Sequence, residues 1–373
     1  MPAAAPAVTQ SRTLAHMSLF EPLSFSRGPV LRNRFALAPL TNLQSHDDGT
    51  LSEAEFRWLT LRAQGGFGMV STCAAHVQAQ GRGFRGQLGV FGDHQLAGLS
   101  RLASAIKAAG SVAVVQLHHA GRRSPRELIE GPPVAPTDDP ETGARALSRG
   151  EVEQLAEDFV AAALRAERAG FDGVELHGAH GYVICQFLSP QFNRRDDRYG
   201  GTPENRARLL IDIIAGVRAR CRPDFLVGVR LSPERFGLRL AEMRELAARL
   251  MREGAIDYLD LSLWDVTKEP EEEVHRGRSL LSHFTELDRG GVRLGAAGRI
   301  DSGPAAARAL AAGLDFVIIG RGAILHHDFP ERVRANPSFG PVALPVSAEY
   351  LRGEGLGPAF VGYMRSWQGF VAG

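Results

Sequence analysis

Two imidazoles and a phenol fall within six residues at His177-Gly178-Ala179-His180-Gly181-Tyr182, where an alternating run from Phe171 to Leu176 gives way to a glycine-rich turn. Two kinds of chemistry suit such a set. An HxxH pair can hold a divalent metal, or the imidazoles and phenol can donate hydrogen bonds and a proton to a substrate that a separate cofactor transforms. A metal needs three or more suitable ligands. A hydrolase barrel would place an HxH pair on its first strand, yet the first apolar run here, Phe35-Ala36-Leu37-Ala38-Pro39, carries no ligand. His177 and His180 have only each other nearby, so no metal is expected, and a metal-dependent hydrolase using these two histidines stands as the alternative.

A second set of residues points to a phosphorylated ligand. Gly298-Arg299 and Gly320-Arg321 each follow an apolar run. Glycines let backbone N–H groups converge on a phosphate, and an arginine adds a charge-assisted fork. A literal GxGxxG at Gly81-Arg82-Gly83-Phe84-Arg85-Gly86 is not a dinucleotide fingerprint. It does not follow a strand directly, does not open a helix, and has no acidic strand end about 20 residues later. It reads as a mobile loop near the site.

The elements that must position these residues form one repeat. Apolar runs at 35–39, 68–74, 112–117, 172–177, 225–231, 257–263, 292–297 and 315–320 alternate with helical stretches at 52–64, 95–109, 151–169, 203–220, 240–253, 279–288 and 304–312. Thr202 before Pro203, and Ser302 before Gly303-Pro304, are N-cap signals. Ala109-Gly110, Ala169-Gly170 and Ala312-Gly313 are stop signals. Eight strand-then-helix units predict an α/β fold, a (β/α)8 TIM barrel, with an N-terminal hairpin lid over 19–34 and extended loops after the strands, the face where such barrels carry their sites. A doubly wound sheet would need a phosphate loop after its first strand, and there is none. The expected organisation is a flexible leader over 1–18, one barrel over 19–335, and a tail over 336–373 that packs on the barrel or on a neighbouring subunit. Alternate strand residues share a face. Glu175 with His177, Gln116 with His118, and Gly228 with Arg230 therefore place polar groups where barrels usually hold apolar ones, as if around a polar ligand.

Bulk properties exclude other classes. Of 373 residues, 43 are Lys or Arg against 42 Asp or Glu, for a net charge of +1, so no global field favours nucleic acid. No run reaches the roughly 18 apolar residues of a membrane span. The Ala/Pro-rich start lacks the basic and apolar regions of a signal peptide, and a cytoplasmic location is expected. Cys73, Cys185 and Cys221 are too few and too scattered for a disulfide framework or an iron–sulfur cluster.

Several stretches resemble the old yellow enzyme family, FMN-dependent barrels that reduce activated alkenes, over about Leu19 to Phe329. They are Asn33-Arg34-Phe35 through Leu40-Thr41, Val115-Gln116-Leu117-His118-His119-Ala120-Gly121-Arg122, Gly173 through Tyr182, Gln186-Phe187-Leu188-Ser189-Pro190 through Arg195, Tyr199-Gly200-Gly201 and Glu204-Asn205-Arg206. The resemblance implies that Gly298, Arg299, Gly320 and Arg321 hold the FMN phosphate. Gln116 and Arg230 would then face the flavin's pyrimidine edge, and Ala38, Pro39, Leu40, Thr41 and Ala74 would line the ring. It further implies NAD(P)H as electron donor, an α,β-unsaturated carbonyl compound as small-molecule substrate, His177 and His180 on its carbonyl oxygen, and Tyr182 as proton donor to the α-carbon. His118 and Trp264 are expected to line the substrate pocket, and Glu175 to pair with Arg230 beneath the flavin. A flavin-binding protein with incidental turnover is the reading from outside catalysis. The sequence leaves the oligomeric state open, a homo-oligomer being one option.

Overall fold

In the computed structural model, residues 17–373 are described, so most of the expected leader lies outside the described residues. Eight parallel strands close into a barrel in sequence order: β1 (Phe35–Leu37), β2 (Met69–His76), β3 (Val112–His118), β4 (Gly173–Gly178), β5 (Leu226–Leu231), β6 (Tyr258–Ser262), β7 (Arg293–Ala297) and β8 (Phe316–Ile319), with β8 pairing back onto β1. Each run is apolar because both of its faces are covered. Outward residues such as Val70, Val115, Val174, Val229 and Leu259 pack under the helices.

The helices begin and end where local chemistry supports them. Ser52 accepts from Glu55 N–H, Ser148 and Glu151 form a capping box on Arg149–Arg168, Thr202 accepts from Asn205 N–H and Ser302 from Ala305 N–H. Each cap satisfies a donor that the first turn would otherwise leave unpaired. Gly110, Gly170 and Gly313 take left-handed φ after their helices (78°, 90° and 104°), a conformation without penalty for glycine. The expected stretch 203–220 is interrupted at Ala207, and 279–288 shrinks to Ser282–Thr285.

Inside the barrel the layers differ. The lowest is a plug of Met69, Val112, Val114, Leu226, Tyr258 and Phe316. Gly228 and Gly295 face this interior because a Cβ there would run into the rings of Tyr258 and Phe316. The N-terminal hairpin, joined at Leu23 and Leu31, closes this end, with Phe25 on the two rings at 5.7 and 6.3 Å. The lid therefore seals the end away from the site.

From Ala348 the chain returns to its own barrel in two short helices, Ala348–Gly353 and Pro358–Arg365. Phe360 packs edge-on against Trp58 at 4.8 Å, Tyr350 Oη donates to the Leu325 carbonyl at 2.8 Å, and Gly357 N–H donates to Gln44 Oε1 at 2.7 Å.

Candidate active site

At the carboxyl ends of the strands a cavity of about 320 Å³ gathers most of the expected residues: Pro39, Leu40, Thr41, Ala74, Gln116, His177, His180, Tyr182, Arg230, Trp264 and Gly298. They come from seven of the strands and the loops that follow them, the strand residues among them facing inward. Another recess, of about 290 Å³, lies on the outside of the barrel beside Leu188, Ala207 and Leu246 and carries none of the candidate residues.

The turn after β4 fixes the central three. His180 and Gly181 both adopt left-handed φ, 61° and 71°, which folds the chain back sharply. His177 Nε2 then lies 2.9 Å from His180 Nδ1, and Tyr182 begins the helix Val183–Leu188. His180 Nε2 lies 2.7 Å from Ser262 Oγ, which accepts from Arg230 Nη2 at 3.4 Å. Burial pushes His177 well below the usual imidazole range and takes His180 to about 3. Both rings are therefore neutral near pH 7. They belong to no group of three metal-ligating side chains among the described residues; the one such group is His327, Asp328 and Glu354, elsewhere in the chain.

Below the cavity floor is a closed ionic layer. The expected pairing of Glu175 with Arg230 is replaced by another: Arg230 Nε lies 3.1 Å from Asp260 Oδ2, and Gln116 Nε2 donates to Glu175 Oε1 at 2.8 Å. The register explains the change. Arg230 stands opposite Asp260 on β6, whereas Glu175 stands opposite Gly228, one level down. The Tyr258 hydroxyl stands next to Glu175, short of hydrogen-bond geometry. Burial pushes Glu175 up, and takes Asp260 to about 8 against the pull of Arg230. With two carboxylates and one guanidinium shut in together, the layer retains a proton at neutral pH.

Other expected residues lie around the cavity. Ala38 belongs to the barrel interior beneath it. Arg299 is exposed, has a left-handed φ of 49° and reaches Asp265 at 3.4 Å. Gly320 precedes the helix Arg321–Leu325, and the Arg321 guanidinium lies 5.9 Å from the Trp367 ring centroid. Gly298 has to be small, because a Cβ would sit 2.9 Å from Asp265 N. His118 is fully buried behind the cavity, its ring 4.3 Å from that of Tyr182 and 5.3 Å from that of His177 and its Nδ1 3.0 Å from Gln87 Nε2. The glycine-rich loop at 81–86 is pinned, with Gly83 N–H on Gln87 Oε1 and the Gly81 carbonyl accepting from Ala120 N–H.

Sequence reasoning missed Ser262, Asp260, and the tail residues Tyr363, Met364 and Trp367, which supply a wall of the cavity. Tyr258, Asp260 and Ser262 alternate along β6, so the facing rule that found Arg230 could have found them.

The donor set fits FMN. Arg230 is buried at the cavity with its Nε turned to Asp260, and His177 Nδ1 has no hydrogen-bond partner. Ala74, Ala297 and Gly298 leave a slot bordered by the Thr41 hydroxyl and the Gln116 amide, as a flat heterocycle with polar edges needs.

Comparison with known proteins agrees. The sequence model of the NADH:flavin oxidoreductase / NADH oxidase family matches residues 18–338. The chain is 39% identical over 327 residues to the probable NADH-dependent flavin oxidoreductase YqiG of Bacillus subtilis, covering 85% of this chain and 87% of that one. Among solved structures, it is similar to the old yellow enzyme homologue from Zymomonas mobilis, with a TM-score of 0.77, 29% identity and coverage of 90% and 96%. It is also similar to morphinone reductase in complex with tetrahydroNAD, with a TM-score of 0.75, 30% identity and coverage of 89% and 94%.

Proposed function

Since this chain belongs to the NADH:flavin oxidoreductase / NADH oxidase family, that of old yellow enzyme, and is an NAD(P)H-dependent FMN oxidoreductase, we propose that it reduces a carbon–carbon double bond conjugated to a carbonyl, with Tyr182 as the proton donor. The observation that supports this most is one cavity shared by the imidazole pair, a separate phenol and a buried arginine. FMN, when bound, supplies the two-electron store that NAD(P)H fills and a substrate empties.

Arg230 and Gln116 would hold the polar edge of the ring, where a fixed positive charge would favour the reduced form. Thr41, on β1's side of the cavity, would offer its hydroxyl to the ring, and Gly298, Arg299, Gly320 and Arg321 would hold the phosphate. His177 and His180 are neutral and bonded to each other, so a substrate oxygen must open that contact to take an N–H from them. Their donation counts most as charge grows on that oxygen. Trp264 and Trp367 border the outer side of the cavity. Tyr182 stays protonated through neutral pH because burial pushes it up, and it delivers its proton to the α-carbon as the β-carbon gains hydride.

Separate measurement of the two half-reactions tests the assignment. Tyr182→Phe should slow oxidation of the reduced enzyme by an enone by about 100-fold or more, on the scale of general acid catalysis, and leave reduction by NADPH near its original rate. Equal losses in both halves would overturn the role given to Tyr182.

A further inference from the structure

Proton transfer from Tyr182 has a consequence for charge. In the reading above, on which this inference rests, the Tyr182 O–H bond breaks as a C–H bond forms at the α-carbon. The negative charge that enters with hydride from the NAD(P)H-reduced enzyme therefore ends on the phenolic oxygen until a solvent proton replaces it. An unpaired anion in a buried site is strongly disfavoured. Something must offset it.

The groups facing Tyr182 can be named element by element. His118 of β3 lies 4.3 Å away and His177 of β4 5.0 Å away, ring to ring. His180 lies on the same turn, and Tyr363 approaches from the C-terminal helix. All three imidazoles are held neutral by burial, and Tyr363 brings no positive charge. The remaining neighbour is Arg123, in the turn after β3, with its guanidinium carbon 4.6 Å from the Tyr182 ring centroid. Its Nη1 donates to the His180 carbonyl at 2.5 Å, which ties it to the very turn that carries the phenol. The adjacent Arg122 is committed to Asp139 and Glu141. Arg123 makes no ion pair among the described residues, so no carboxylate neutralises it.

We propose that Arg123 is a positioning residue whose guanidinium offsets the phenolate formed at Tyr182 and thereby governs the ease of the proton-delivery step. It acts through Tyr182 and need not touch substrate.

The test compares Arg123→Met, which keeps an apolar stem without charge, with Arg123→Lys, which keeps charge without the planar fork, both as FMN-loaded enzyme. Carbon-labelled tyrosine NMR follows the alkaline titration of Tyr182, with Tyr182→Phe identifying its resonance, and rapid mixing with cyclohexenone follows the oxidative half-reaction. Arg123→Met should raise the Tyr182 pKa and slow that half-reaction about two- to fivefold, the scale of a partly exposed cation–π contact. Arg123→Lys should recover most of both, and reduction by NADPH should not change. If Tyr182 in Arg123→Met titrates as in the original protein, or if Lys fails to recover what Met loses, the proposal is overturned. Should Tyr182→Phe leave enone reduction intact, the functional reading fails, yet the titration still decides whether Arg123 governs Tyr182.

Discussion

The two ends of the barrel are built from the same eight strands and could hardly be more different. At the amino-terminal end Phe25, Tyr258 and Phe316 meet edge to face or tilted at 5.7 to 6.3 Å, two glycines make room for the rings, and the hairpin seals the plug. Arg27 and Arg218 both reach the buried Asp257 there, at 3.1 and 2.5 Å. At the carboxyl end the inward residues are Gln116, Glu175, His177, Arg230, Asp260 and Ser262. All six non-glycine residues with left-handed φ among the described residues, Leu43, His180, Arg235, Phe236, Trp264 and Arg299, lie in loops that follow strands. Such backbone is disfavoured and persists only where its surroundings enforce it. One end holds the fold together, and the other spends some of that stability on placing side chains.

Breaking the plug should have the largest effect. Phe316→Ala leaves a hole among Phe25, Tyr258 and Gly295 and should destabilise the protein by about 3–5 kcal/mol in urea unfolding, while activity per folded molecule at low temperature stays close to the original. A matching loss of activity in fully folded protein would mean that the two ends are not independent.

The ionic layer between the ends should show itself through pH. Asp260 titrates at about 8 in the fold against an ordinary value of 3.8. Between those values the unfolded chain has already lost the proton that the folded chain keeps. Its contribution to stability is therefore full below the ordinary value, and is lost as pH rises through about 8. Asn cannot titrate, so Asp260→Asn should gain on the original protein steadily as unfolding is repeated at higher pH over that window. A constant difference would show that Asp260 is ionised throughout, and that the layer belongs electrically to the open end.

The smallest effect is expected at the mouth. Trp264 has φ 64° and is 57% exposed, so Trp264→Gly relieves backbone strain while giving up little burial. It should stabilise the fold by about 1 kcal/mol and raise the KM for an enone. A loss of stability would place Trp264 with the residues that hold the fold.

The closed end and the strand order were the more legible parts of the sequence. Eight Val/Ile/Leu-rich runs with capped helices between them leave little room for another fold, because each run must be covered on both faces. What escaped depended on levels along the barrel axis. Glu175 and Arg230 do both face inward, but register sets Arg230 beside Asp260, and register is a property of pairing that neither strand states alone. His118 faces inward as expected, yet the left-handed step at His180 folds Tyr182 in front of it. The wall formed by Tyr363, Met364 and Trp367 was unreadable for a different reason: nothing in the tail's composition tells which surface it will lie on.

That wall has a consequence in time. Pro39 and Thr41 leave the ribosome early and Trp367 more than 300 residues later. A nascent chain can complete all eight strands and bury its plug while the cavity still lacks one side. Folding from the amino terminus onward thus finishes the scaffold before the site, whose last wall arrives with the helix Pro358–Arg365 and the residues just after it.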